Sequence, residues 1–350
     1  MTAIALDFLG IGAPKAGTTS LHEYLRTHPQ LWLPEVKEQP FFTNDNAYDE
    51  GWETFAAVAF HGAPPDRLHG KITPHYMGGP VVWHDATAAA ATDPATAVTA
   101  RRIAEQFPDV KLIAMVRDPV ERTISSYWQT TVLGDDRRSL NESLADELSE
   151  EALERARARP ADGHQHIVAG ECGRALEAYL RFFPRQQMFV GSTAVLGDDP
   201  MALLRDLYRF LGVDESHVPP NLGVRYQVRG TGRRSRVLST LPRVVKETPG
   251  LRHAWNALPE RTQASVRAHA RTLAHRLDQR MPRRHHEGMD ERPDPALIER
   301  LQQHFAPDVA LLERLVGPVA GVTDLPWVSA RRDAGSAASP TEPAGPAASP

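Results

Sequence analysis

One cysteine, Cys172, is all the thiol chemistry available to this 350-residue chain. No intrachain disulfide can form, which suits a reducing compartment. No window approaches about 18 uninterrupted apolar residues, so no transmembrane helix and no membrane insertion are expected. The opening residues, MTAIALDFLGIG, lack the basic n-region and long apolar core of a secretory leader, and the cytoplasm is the expected compartment. There is no excess of positive charge either: 40 Lys and Arg stand against 44 Asp and Glu, a net charge of −4. That balance argues against a nucleic-acid partner or an anionic membrane surface. No internal repeat is visible. From about Ala330 large apolar residues run out and Ala, Pro, Ser, Gly and Glu take over, so 330–350 is expected to be a disordered tail.

What is present is an ordinary globular composition, 41% hydrophobic and 24% charged, long enough for one large domain over 1–329. Short apolar runs alternate with amphipathic stretches. Leu6 to Ile11, Leu31 to Leu33, Lys111 to Val116 and Met188 to Val190 read as strands, and Leu68 to Met77 as a strand edge that Pro74 closes. Helices are expected after Thr18, over 51–60, over most of 87–107, over 120–131, from the Ser139 capping box to about Arg159, over 170–183, over 200–211 and in one or two pieces over 295–316. The alternation implies an α/β fold: a P-loop-like three-layer arrangement with a central, mainly parallel sheet of about five strands flanked by helices.

The chain is organised around FLGIGAPKAGTTSLHEY, Phe8 to Tyr24. An apolar strand runs into a loop bounded by Gly12 and Gly17, and a helical pattern opens at Thr18, Thr19 and Ser20. Strand, glycine loop and helix N-terminus make a cradle in which backbone N–H groups and the helix dipole converge on a phosphate. The Gly-x4-Gly spacing is that of a nucleotide-binding loop, yet Thr18-Thr19 stands where a triphosphate loop has Lys-Ser/Thr. The only lysine within the loop is Lys15. The loop is therefore built for a phosphate group without the usual apparatus for a triphosphate.

Pro14-Lys15-Ala16-Gly17-Thr18-Thr19-Ser20-Leu21 resembles the 5′-phosphosulfate loop of sulfotransferases that use 3′-phosphoadenosine 5′-phosphosulfate (PAPS). It is most similar to the branch holding heparan sulfate sulfotransferases and their bacterial relatives. A rich supply of Ala, Arg and Pro fits a GC-rich bacterial genome. The stretch LIAMVRDPVERTISSYW resembles the family's 3′-phosphate element, where an arginine and the serine eight residues later hold that phosphate; Arg117 and Ser125 match both positions. On chemistry alone, a structural ion pair of Arg117 with Asp118 or Glu121 is the better reading, although the carboxyl end of a strand in an open sheet is where ligands bind; the resemblance reverses the preference.

Further resemblances concern the transfer step. Glu38-Gln39-Pro40-Phe41-Phe42 resembles the E-x-x-F-F segment whose glutamate is the base in heparan-type enzymes, although Pro40 departs from the histidine or glutamine found there. Lys71 in GKITPHY is similar to the family's K-(T/S)-P-x-Y lysine, and Arg229-Gly230 resembles the basic pair of a loop that closes over the nucleotide, with Arg234 nearby. The resemblance covers roughly Phe8 to Trp327 and is weakest over 137–165. It implies that Lys15, Ala16, Gly17, Thr18, Thr19, Ser20, Arg117, Ser125, Arg229 and Arg234 bind the donor. Glu38, Lys15 and Lys71 would serve the transfer of a sulfuryl group to a hydroxyl or amine of a small-molecule or glycan acceptor. No metal is required, since a sulfuryl group carries less charge to neutralise than a terminal phosphate. His164, His166, His285 and His286 lack the partners of a metal site in sequence, and Cys172 reads as a small core residue. Two other classes stay open at this point. An ATP-dependent kinase with a degenerate loop would need Mg²⁺, and a non-catalytic nucleotide-binding protein would bind without turnover.

Overall fold

The computed structural model describes residues 4–78, 95–133, 138–158, 165–224, 226, 231–232, 284–285 and 291–328. The expected tail at 330–350 and most of the arginine-rich 225–236 loop, with Arg229 and Arg234, lie outside the described residues.

In chain order the elements that frame the site are β1 (Phe8–Gly12), α1 (Thr18–Leu25), β2 (Leu31–Trp32), α2 (Asp45–Asp49), α3 (Trp52–Ala59), β3 (Leu68–Ile72), α4 (Ala95–Gln106), β4 (Lys111–Val116) and α5 (Pro119–Leu133). There follow α6 (Leu140–Glu147), α7 (Glu150–Ala158), α8 (Cys172–Leu180), β5 (Met188–Ser192), α9 (Thr193–Asp198), α10 (Pro200–Leu211) and α11 (Pro295–Val316). The sheet has five strands in the order β2-β3-β1-β4-β5, and every pairing in it is parallel. A parallel sheet covered by helices buries both faces of its strands, which is why β1 is buried at all five positions and β4 at five of six. After β3 the chain crosses from one side of β1 to the other to form β4. The carboxyl ends of β1 and β4 are therefore the switch point of the sheet, the place where such folds open a crevice.

Three sequence expectations change here. Leu68 to Met77 is not at an edge: β3 is hydrogen-bonded to β2 on one side and β1 on the other. The charged stretch after Ser139 is two helices, because Ser149 accepts a hydrogen bond from Ala152 N at 3.4 Å and starts a new one. The helix expected at Gly170 begins at Cys172, after Glu171 adopts φ −75°, ψ 68°. The capping box of Ser139 and Glu142 forms as read, and α10 ends at Gly212 in the left-handed region.

Two cores hold the fold. The larger lies around the sheet, and the second joins α5, α6, α7 and α11 through Tyr127, Trp128, Leu144, Leu301 and Phe305. Helix α8 meets α11 closely at Gly173, where a Cβ would stand 2.3 Å from the Asp308 carbonyl oxygen. The Asp308 carboxylate accepts the Gly173 and Arg174 N–H groups at 2.9 and 2.8 Å, so α11 caps α8.

Candidate active site

Strand β1 ends at Gly12, where a Cβ would stand 2.5 Å from Met77 Cβ, so only glycine lets the turn after β3 approach so closely. The loop then reaches Gly17 at φ 78°, and α1 starts without a side-chain cap. Leu21 N–H is bonded to the Gly17 carbonyl, so the N–H groups ahead of it have no partner within the helix. The strand, glycine loop and helix start read from the sequence are present in that order.

Arg117 follows β4 and reaches the same loop. Its Nη1 donates to the Lys15 carbonyl oxygen at 3.4 Å, across the boundary between β1 and β4. Its Nη2 and Nε donate to Glu121 at 2.9 and 3.3 Å. That acid is 64% exposed, so screening leaves the pair worth little and easily exchanged for a ligand. Ser125 is buried in the second turn of α5, and no hydrogen bond joins it to Arg117 or the loop among the described residues.

The Glu38 loop is held in place by aromatic packing. Phe41 and Phe42 are fully buried, with ring centroids 5.2 Å (Phe41–Trp52) and 5.5 Å (Phe42–Tyr76) apart. Each such burial contributes roughly 1.5–3 kcal/mol. The Tyr76 hydroxyl accepts Phe41 N–H at 3.1 Å, and Glu38 N–H donates to the Ile72 carbonyl at 3.3 Å. These contacts carry Glu38 from a distant loop to the carboxyl end of β3. The aromatics Phe41, Phe42 and Tyr76 are therefore core.

Lys15 and Glu38 share one unusual property. They are the two non-glycine residues with positive φ among those described, at 67° and 62°. Such conformations cost of order 1–3 kcal/mol and persist where surroundings enforce them.

Charge is concentrated here. Burial pushes the Lys15 ammonium down to about 8, with the Arg117 charge adding to the effect and Glu38 opposing it. Burial pushes Lys71 down to about 7, again against the pull of Glu38. Lys71 is 2% exposed, its ammonium has no hydrogen-bond partner among the described residues, and it lies 5.1 Å from the centre of the Phe55 ring. Glu38 keeps 40% of its side chain accessible while protein crowds it at longer range. That crowding would raise its carboxyl, but the charges of Lys37, His75 and Lys15 outweigh it and hold the group below the usual carboxylate value.

Lys37 is the site residue that sequence reasoning missed. Its ammonium donates to Thr18 Oγ1 and Thr19 Oγ1, both at 3.3 Å, and to Glu38 Oε1. Its only sequence signal is its place next to Glu38. Val224 and Tyr226, at the start of the basic loop, contact α1: Tyr226 N–H donates to Ser20 Oγ at 3.2 Å, and the Tyr24 hydroxyl donates to the Val224 carbonyl at 3.0 Å.

Elsewhere, His166 proves to have an acidic neighbour, Glu147, at 3.7 Å, and Ser126 at 3.0 Å. Among the described residues no group of three or more His, Cys, Asp or Glu side chains is placed to hold a metal ion. No described helix is long and apolar enough to cross a membrane. Cys172 is buried, as read.

A model of the Sulfotransferase family matches residues 8–217. Heparan sulfate glucosamine 3-O-sulfotransferase 3A1 of Mus musculus is 33% identical over 203 residues, which are 58% of this chain and 44% of that protein. The 3-O-sulfotransferase 3B1 of Homo sapiens is 32% identical over 203 residues, 58% of this chain and 45% of that protein. The matched segment thus spans less than half the length of these curated relatives. Among solved structures, a sulfotransferase from Alicyclobacillus acidocaldarius superposes with a TM-score of 0.58, covering 94% of this chain and 99% of that one at 24% identity. That likeness is one of fold.

Proposed function

The chain belongs to the sulfotransferase family, and from that membership we propose that it moves a sulfuryl group from PAPS to a hydroxyl of a small-molecule or glycan acceptor. The observation that carries the reading is the meeting of three separate segments at one end of the sheet. Lys15 and the α1 N-terminus come from β1, Arg117 from β4, and Glu38 from the loop anchored on β3.

The residues fit such a donor. The buried Lys71 ammonium has no hydrogen-bond partner among the described residues, so a ligand oxygen would satisfy it. Lys15, Lys37 and Lys71 lie close enough to Glu38 to act on its charge, and Arg117 reaches the same loop. N–H groups of the first turn of α1 and the hydroxyls of Thr18, Thr19 and Ser20 would hold the 5′-phosphosulfate. Arg117 would exchange Glu121 for the 3′-phosphate, with Ser125 adding a hydroxyl; Arg229 and Arg234 would close over the nucleotide. Ala16 and Gly17 contribute backbone.

In the transfer, Glu38 accepts the proton of the attacking hydroxyl as the new oxygen–sulfur bond forms. The electron pair of the breaking sulfur–oxygen bond stays on the 5′-phosphate oxygen, and Lys15 faces that charge. Most of the rate comes from positioning and fixed charge. Relatives whose names specify 3-O-sulfation of heparan sulfate glucosamine support a sugar hydroxyl as one acceptor class.

The test is release or transfer of labelled sulfate from PAPS across a panel of hydroxyl and amine compounds, without added metal. Wild-type transfer and a loss of about 10²–10⁴-fold in Glu38→Gln are expected. Full activity in Glu38→Gln would remove the base from the account, and absence of wild-type turnover would remove the reaction.

A further inference from the structure

The donor loop lacks the lysine that a triphosphate loop carries just before its Ser/Thr, and the structure supplies an ammonium at those hydroxyls from elsewhere. Lys37 comes from the loop after β2, its side chain is 8% exposed, and its Nζ lies 3.3 Å from both Thr18 Oγ1 and Thr19 Oγ1. Its third partner is the Glu38 carboxylate. Glu38 itself adopts the left-handed conformation, at φ 62°. Base and donor loop are joined through a single cation.

We propose that Lys37 is a further catalytic residue, an ammonium delivered to the Thr18–Thr19 hydroxyls that faces both the sulfuryl group and the base Glu38. This rests on the sulfotransferase reading above. As the acceptor oxygen bonds to sulfur and the sulfur–oxygen bond to the 5′-phosphate breaks, the electron pair goes to the phosphate oxygen, and Lys37 and Lys15 share the neutralisation of that oxygen and the equatorial sulfuryl oxygens. The acceptor proton goes to Glu38. Between turnovers Lys37 keeps Glu38 ionised. The other groups acting on Glu38 are Lys15 from the loop after β1, Lys71 on β3 and His75 from the turn after β3.

The test compares wild type with Lys37→Met and Lys37→Arg, with His75→Gln as a control for another side chain acting on Glu38. Three quantities are read: the rate of sulfate release from PAPS to water or to the best hydroxyl compound, the pH profile of kcat/KM for PAPS, and the Kd for adenosine 3′,5′-bisphosphate. Lys37→Met is expected to lower kcat by about 10²–10³-fold, the usual cost of one lost charge-stabilising donor. It should weaken bisphosphate binding far less, because that ligand has no sulfuryl group. The acid limb of kcat/KM should move to higher pH, and Lys37→Arg should bring it back. Unchanged kcat with an unmoved acid limb would overturn the proposal. So would a kcat loss matched by an equal loss of bisphosphate affinity and a lowered Tm, the mark of a purely structural ion pair. If Lys37→Met does not fold, Lys37→Gln carries the same test, since it keeps hydrogen bonding and drops the charge. Wild-type protein that neither binds the bisphosphate nor turns over PAPS would sink the sulfotransferase reading itself.

Discussion

Raising the pH through the titration of Lys15 should switch this enzyme off well below the range expected of an ordinary lysine. Burial, then the Arg117 charge, bring its ammonium from 10.5 down to about 8. The account needs Lys15 charged at the moment the 5′-phosphate oxygen leaves. With that value roughly 90% of the free enzyme is competent at pH 7, half at pH 8 and about 10% at pH 9. The profile of kcat/KM for PAPS reports the free enzyme, so its alkaline limb should fall near pH 8. The kcat profile reports the complex, in which the donor's own anionic charge favours the ammonium, so its limb should lie higher. A limb near 7 would instead mark Lys71 as the cation that must stay charged, since burial pushes it to about 7. Two variants complete the test. Arg117→Met removes a like charge and should move the limb upward while weakening donor binding. Lys15→Arg keeps its charge throughout and should erase the limb in whatever activity it retains. A wild-type limb at or above pH 10, or one unmoved in Lys15→Arg, would refute the reasoning.

Other consequences concern the scaffold. Gly17→Ala places a Cβ 2.9 Å from Leu196 Cδ2 on a backbone at φ 78°, so it should cost about 1–2 kcal/mol in denaturant unfolding and weaken bisphosphate binding. Burial alone would raise Glu171, but hydrogen bonds from His304 and Arg157 and the Arg174 charge hold it at about 2. Its stabilisation is present above the ordinary carboxylate value and is lost as pH falls from about 4.5 toward about 2. Glu171→Gln should accordingly cost on the order of 3 kcal/mol at pH 7 and much less at pH 2. Glu147 behaves oppositely: burial lifts it to about 8, so wild-type stability should decline as pH rises from about 4.5 through about 8. In Glu147→Gln that decline should flatten, measured as Tm at pH 6 and pH 8.5; an equal decline in both proteins would contradict the assignment.

The parts of the site legible in the sequence are those fixed by neighbours in the chain. A strand, a loop bounded by Gly12 and Gly17 and a helix opening at Thr18 form locally, and Arg117 sits directly after a buried strand. Lys37 was not legible because its position depends on docking at a distance. Phe41 must bury against Trp52, Tyr76 must accept Phe41 N–H, and Glu38 N–H must reach Ile72 before the ammonium meets Thr18 and Thr19. Placing Leu68 to Met77 at an edge of the sheet fails for a related reason. Strand order is a long-range property, and β2 is only two residues long, too short to announce that it covers β3. The break between α6 and α7 is hidden because both helices carry the same charged pattern and only Leu148 and Ser149 separate them.

The central claim is that the carboxyl ends of β1 and β4 form one site for a nucleotide carrying both a 5′- and a 3′-phosphate. It is tested most directly by thermal unfolding with adenosine 3′,5′-bisphosphate, 5′-AMP or Mg-ATP at equal concentration. A ligand that binds only the folded state at 100 times its Kd adds about 2.7 kcal/mol, so preference reads out as a difference in Tm. The account predicts a large shift with the bisphosphate, a small one with 5′-AMP, and loss of most of the difference in Arg117→Ala. A shift with Mg-ATP and none with the bisphosphate would contradict it.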